Sequence, residues 1–326
     1  MRAPVLGLLS FGILLCVVAS PRASDLSDTA VPIEINGGHV YVEVRVPHAK
    51  PLWFLVDSGA ATPVNLIAKD TANRLGWKGT GQRQVGAIGG DVTLTFTPPV
   101  ALEIGSLELP AERLAIIPLG DSASQEGHAV DGILGYAFFR TFNPEIDYGG
   151  RRMRLSTAPA LRPNADAVPL RIAGKTAFID AIIELRRGQP PMAVTLAVDT
   201  GYDGYLLLDS PFVKKHALLH SADEKVAGSA IGGDTTSRRR MISSLRIGRQ
   251  IVRNFSAVLS TDTKGAFSSA DADGYVGGDF LRRYVVLFDY QNGRFALSDP
   301  SAAHWCGGLE VPKCLSWKTL NPRNRL

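Results

Sequence analysis

Phe54-Leu55-Val56-Asp57-Ser58-Gly59 returns 142 residues later as Leu196-Ala197-Val198-Asp199-Thr200-Gly201. Working outward from this pair, other landmarks recur at nearly the same offset. Ile88-Gly89-Gly90-Asp91 returns as Ile231-Gly232-Gly233-Asp234, and Leu102-Glu103-Ile104-Gly105 as Leu245-Arg246-Ile247-Gly248. Asp131-Gly132-Ile133-Leu134-Gly135 returns as Asp273-Gly274-Tyr275-Val276-Gly277, and Ile146-Asp147-Tyr148 as Phe288-Asp289-Tyr290. A period this long is too great for a solenoid repeat, so the chain reads as a tandem duplication of a domain-sized unit.

Composition supports a folded β-rich chain. With 326 residues, 45% hydrophobic and 20% charged, it is neither disordered nor a small disulfide scaffold, and 33 Gly and 20 Pro favour many turns. A net charge of +4 is too small and too dispersed for a nucleic-acid binder, so none is expected as a partner. Val40 to Val46 and Val92 to Phe96 alternate apolar and polar residues as strands do. Tyr284 to Tyr290 and Phe295 to Leu297 flank an Asn292-Gly293 hairpin turn. Ile67 to Leu75 and Ser210 to Leu219 are the best helix candidates, while Ser156 to Pro169, with three prolines, reads as a linker. The expected organisation is a leader at 1–24, lobes at 25–158 and 169–300 around a linker at 159–168, and a tail at 301–326.

The leader has one charge, Arg2, before an apolar run from Pro4 to Ala19 that is too short to span a bilayer. It reads as a secretory signal, so an exported protein is expected, periplasmic or secreted, with membrane attachment only if the leader stays uncleaved. Without it the cysteine count falls from three to the pair Cys306 and Cys314. In an oxidising compartment a disulfide closing a small loop is the simplest reading of that pair. His304 lies near, but a metal site there lacks a fourth ligand.

The chemistry is expected at the two Asp-Ser/Thr-Gly turns. Each places a carboxylate at the end of an apolar strand, before a glycine that tolerates positive φ or close backbone approach. Ser58 and Thr200 can each hydrogen-bond backbone across a pseudo-twofold axis. Related lobes about such an axis would bring Asp57 and Asp199 face to face, where they share a proton and titrate as a pair. The ionised member can draw a proton from water while the protonated one donates to a carbonyl oxygen, which suits amide hydrolysis without a covalent intermediate.

These motifs resemble the pepsin/retropepsin superfamily of aspartic proteases, and most of all retropepsin-like bacterial proteins with both halves in one chain, over about residues 32–299. The resemblance implies an all-β, bilobal fold of two β-barrel-like lobes with short helices. It implies Asp57 and Asp199 as the catalytic pair, and Ser58, Gly59, Thr200 and Gly201 as the active-site turns. Ile133-Leu134-Gly135 and Tyr275-Val276-Gly277 match the apolar-apolar-Gly segments beneath the active-site loops. Ile88, Gly89 and Gly90 in one half, and Ile231, Gly232 and Gly233 in the other, resemble flap tips that close over substrate. A peptide or protein substrate, a monomer, and no cofactor or metal are the corresponding expectations. No long segment separates the leader from the first strand, so pepsin-like self-inhibition is not expected.

Tyr202-Asp203 after the second motif departs from the family, whereas Ala60 after the first suits it. A bulky ring and an extra acid there could reshape the cleft. A non-catalytic peptide-binding relative is therefore the rival reading, and a domain that assembles envelope components a third. Arg238-Arg239-Arg240 reads as a solvated loop, and His216 with His220 as a helix pair without a third metal ligand. Asp271-Ala272-Asp273-Gly274 starts like a calcium loop but lacks the later ligands.

Overall fold

A computed structural model describes residues 29–87, 90–119, 130–159, 161–231 and 233–300. The leader, Ile88, Gly89, Gly232, Cys306 and Cys314 lie outside these described residues. In chain order the first half forms β1 (Thr29–Pro32), β2 (Glu34–Asn36), β3 (His39–Val44), β4 (Leu52–Val56) and β5 (Leu66–Ala68). It continues with α1 (Lys69–Arg74), β6 (Thr80–Ala87), β7 (Gly90–Ile104), β8 (Leu107–Ile117), β9 (Gly132–Leu134), α2 (Tyr136–Phe142), β10 (Glu145–Asp147) and β11 (Arg152–Leu155). The second half forms β12 (Asp166–Pro169), β13 (Arg171–Ala173), β14 (Thr176–Glu184), β15 (Met192–Val198), β16 (Leu206–Leu208) and α3 (Ser210–Lys215). It ends with β17 (Glu224–Ala230), β18 (Gly233–Ile247), β19 (Gln250–Ser260), β20 (Gly274–Val276), α4 (Gly278–Leu281), β21 (Val285–Asp289) and β22 (Arg294–Ser298).

Two eight-stranded sheets carry the lobes, ordered β2-β3-β4-β9-β5-β8-β7-β6 and β13-β14-β15-β20-β16-β19-β18-β17. Position for position, they have the same order. In each, the strand before the Asp pairs in parallel with a short strand from the Asp-Gly landmark, β4 with β9 and β15 with β20. Both sheets curl towards barrels. β14 also pairs with β18, and an isolated Arg45↔Glu103 bridge makes the corresponding link in the first lobe.

A third sheet, ordered β1-β11-β10-β21-β22-β12, takes three strands from each half. The halves meet where β10 pairs with β21, Ile146 opposite Val286. Part of the stretch read as a linker is thus structured: Asp166–Pro169 is an edge strand on β22. Its Pro169 can sit there because an edge strand leaves one side's N–H groups unused. Apolar packing holds the joint. Phe139 of α2 stacks edge-on against Phe288 of β21 at 5.0 Å, and Phe288 against Phe295 at 5.4 Å. All three rings are fully buried. Glu145, almost fully buried beside this joint, accepts hydrogen bonds from Arg162 at 2.7 and 3.0 Å and from Arg154 at 3.3 Å.

The helix expectations hold in place but shorten to Lys69–Arg74 and Ser210–Lys215, and α2 and α4 add to them. Arg238 to Arg240, read as a loop, lies inside the fifteen-residue strand β18. Its charges are answered across the sheet: Arg240 pairs with Asp223 at 2.5 Å and Arg239 with Glu224 at 3.3 Å. No helix among the described residues is long and apolar enough to cross a membrane.

Candidate active site

Each Asp is delivered by a strand buried on its inward side. Leu52, Phe54 and Val56 of β4, and Leu196 and Val198 of β15, are buried. At the strand ends the Asp57 N–H donates to the Leu134 carbonyl at 2.9 Å, and the Asp199 N–H to the Val276 carbonyl at 3.0 Å. The Asp-Gly landmark has its own anchoring role, which the motif reading did not assign. Asp131 accepts the Trp53 N–H at 2.9 Å, and Asp273 the Thr195 N–H at 2.8 Å. The signal was available, because both acids stand at matched positions two residues before the apolar pair.

The two turns grip each other symmetrically. Ser58 Oγ donates to the Val198 carbonyl at 2.7 Å and accepts the Thr200 N–H at 3.0 Å. Thr200 Oγ1 donates to the Val56 carbonyl at 2.6 Å and accepts the Ser58 N–H at 2.9 Å. All four bonds are buried and link residues about 140 apart in sequence. Thr200→Val removes two of them and strands the Ser58 N–H and the Val56 carbonyl. We expect it to lower unfolding free energy by about 3 kcal/mol in urea titration. A loss below about 1 kcal/mol would contradict this account of the grip.

The glycines are required by close approach, not by φ. A Cβ on Gly59 would sit 2.5 Å from the Asp199 carboxyl carbon, and one on Gly201 2.6 Å from that of Asp57. Each turn thus makes room for the other's carboxylate. Each carboxyl is thus seated against the glycine of the opposite turn. Asp57 Oδ1 accepts the N–H groups of Gly59 at 2.8 Å and Ala60 at 3.2 Å, and Asp199 Oδ1 accepts that of Gly201 at 2.8 Å.

Burial pushes both carboxyls above the ordinary range, because a dry site disfavours the charged form. For Asp57 the Gly59 N–H, the Asp199 hydrogen bond and the positive charge of His39 pull back against burial. Asp199 stands well above the usual value through burial and then the charge of Asp57. His39 was not singled out from the sequence; it lies 162 residues from Gly201, whose carbonyl it contacts.

Tyr202 does not fill the space between the carboxyls. Its ring lies over Gly277 and Gly204, and its hydroxyl donates to the Leu206 carbonyl at 3.4 Å. The hairpins that carry Gly90 and Gly233 project from the outer strand pairs, with Ala87 opposite Gly90 and Ala230 opposite Gly233 as the last rungs. Both glycines have φ near +140° (142° and 140°), which explains why only glycine serves there. Ile231, from the second hairpin, packs on an apolar cluster of the first lobe that includes Leu66, Ile117 and Ile133.

Residues 31–138 match the family described as aspartyl protease. An aspartic proteinase from Irpex lacteus is similar in structure, with a TM-score of 0.52 at 15% identity, over 86% of this chain and 99% of that one. The chain has a pepsin/retropepsin-like aspartic protease fold. No curated protein matches it in sequence. The family match covers the first of the two Asp-Ser/Thr-Gly turns, and the structural likeness extends over 86% of the chain. His216 and His220, weighed above as a metal pair, do not gather ligands: His216 packs on Phe212 at 4.4 Å and His220 contacts Arg186 at 3.3 Å. Among the described residues no cluster of three or more His, Cys, Asp or Glu side chains could hold a metal ion.

Proposed function

We propose that this protein is an exported aspartic endopeptidase that hydrolyses peptide bonds with the Asp57–Asp199 pair. The observation that carries the reading is the facing of the two carboxyls across a symmetric grip, with glycines cleared for both. Asp57, ionised, takes a proton from a water molecule whose oxygen attacks the scissile carbonyl carbon. Asp199 gives its proton to the carbonyl oxygen, so a neutral diol forms and no covalent enzyme intermediate is needed. The proton on Asp57 then passes to the amide nitrogen, the C–N bond breaks, and Asp199 recovers a proton from a diol hydroxyl.

The substrate is an extended peptide or protein segment lying between the hairpins, its backbone pairing as an added strand. Sequence preference would then come from the pockets that receive alternate side chains. The leader supports export to the periplasm or outside the cell, and Cys306 and Cys314 would pair there. The placement of Tyr202 over Gly277 and Gly204 supports the catalytic reading over a merely peptide-binding relative.

The test is digestion of a diverse peptide library by the full chain from pH 3 to pH 8, with product termini read by mass spectrometry. Endoproteolytic cuts are expected. Peptide binding without cleavage at every pH would establish the non-catalytic alternative instead.

A further inference from the structure

The grip and the glycine contacts are nearly symmetric, yet an acid–base pair needs one base and one acid. His39 breaks the symmetry. It stands at the start of β3, directly after the Gly37-Gly38 turn, with Asn36 opposite His39 as the last rung of the hairpin. The second lobe builds the same hairpin with Ala173 opposite Thr176 across Gly174-Lys175. Thr176 is therefore the counterpart of His39, and it cannot carry a charge.

From this tip His39 crosses to the other lobe. Its Nε2 lies 2.9 Å from the Gly201 carbonyl, which can only accept, so Nε2 bears the hydrogen. Gly201 is the residue whose missing side chain makes room for Asp57. The imidazole is thus held at the edge of the carboxyl pair, and its charge acts on Asp57.

The other charged groups around this tip are two acids and the arginine that pairs with one of them. Asp203 follows the second turn, its Cβ 3.5 Å from where a Gly38 side chain would begin. Asp279 lies in α4, whose first residue, Gly278, backs onto the Gly38 carbonyl. Asp279 is already paired with Arg282 at 2.5 Å. Among the groups named at this tip, His39 is the cation that acts on Asp57.

We propose that His39 is a positioning residue whose charge fixes the roles of the pair, holding Asp57 as the base and leaving the proton on Asp199. The proposal rests on the reading of the pair as an acid–base dyad. It adds the reason that two near-identical turns do not exchange roles.

The experiment titrates the pair directly, by carbon-13 NMR of aspartate-labelled full-length protein between pH 2 and pH 8, in wild type, His39→Gln and His39→Thr. Glutamine keeps a donor for the Gly201 carbonyl and removes the charge. Threonine is the second lobe's own residue at this place. Thermal unfolding establishes which variants fold. The lower apparent titration of the pair is expected to rise by about one pH unit in both variants, the scale of a single charge at this range in a partly dry site. The acid limb of kcat/KM for any cleaved peptide should move with it. A lower titration that stays in place in either folded variant overturns the proposal. Because the NMR titration needs no turnover, a wild-type protein that cleaves nothing would sink the endopeptidase reading while leaving the role of His39 to be decided by the spectra.

Discussion

Asp57→Asn and Asp199→Asn are each expected to lower kcat/KM for peptide cleavage by at least about 1,000-fold, mainly through kcat. Asparagine keeps the size of the side chain and can still accept the Gly59 or Gly201 N–H, so the grip and the cleft should survive. What each change removes is different. Without the Asp57 carboxylate nothing between the turns takes the proton from water. Without the Asp199 proton nothing neutralises the carbonyl oxygen as water adds. Because the steps are coupled, the double variant should be little worse than either single one. The wild-type profile should be bell-shaped, since Asp57 must be ionised and Asp199 protonated. Both carboxyls are raised by burial, so its maximum should lie above the range of free carboxyls. Cleavage that persists in both single variants, at any pH from 3 to 8, would exclude the pair as the catalytic machinery.

The second large effect concerns stability and lies in the second lobe. Asp209 precedes α3 and is 1% exposed, yet it does not cap the helix and its Oδ1 has no hydrogen-bond partner. Burial, then the charges of Asp273 and Asp271, push its carboxyl up to about 8. The first lobe solves the same spot differently. There Ala68 precedes α1, and Asp131, the counterpart of Asp273, is neutralised by Arg74 at 2.6 Å and bonded by Thr71 at 2.7 Å.

The sign follows from linkage. Below about pH 4 Asp209 is protonated whether the chain is folded or not, so it imposes no cost. Between there and about pH 8 the unfolded chain releases this proton and the folded chain keeps it, so stability falls as pH rises. Asp209→Asn removes that loss. It should leave stability near wild type at pH 4 and raise it by on the order of 4 kcal/mol at pH 8, or roughly 10 °C in melting temperature. Thermal melts of both proteins at pH 4, 6 and 8 decide it. A difference that does not grow with pH would refute the assignment.

The reach of the sequence can be judged from these same residues. The matched landmarks revealed two lobes because each repeats a structural necessity: an Asp at a strand end, a glycine opposite the other carboxylate, an apolar pair beneath. Short-range pattern served poorly where tertiary packing overrides it. α2 reads Tyr-Ala-Phe-Phe-Arg-Thr-Phe, a run whose aromatic content suggests a strand; it is helical because Phe138, Phe139 and Phe142 fill the space above the shared sheet. β12 was hidden among prolines, since an edge strand needs only half its hydrogen bonds. Arg238 to Arg240 looked like a loop because nothing local reveals that Asp223 and Glu224 lie across the hairpin. His39 and Asp209 were out of reach for a related reason. A lone histidine or aspartate acquires meaning only from what a distant part of the chain brings to it.

The sheet shared between the halves also sets an order on biosynthesis. β1 is made among the first strands, but its route to the far half runs through β10, whose neighbour β21 is Val285–Asp289. Each lobe sheet is built from one contiguous stretch of chain and can assemble as soon as that stretch leaves the ribosome. The joint between the halves must wait for nearly the whole polypeptide. A nascent chain therefore carries Asp57 for most of its synthesis without Asp199 opposite it, and the facing pair of carboxyls comes into being only as a late docking event.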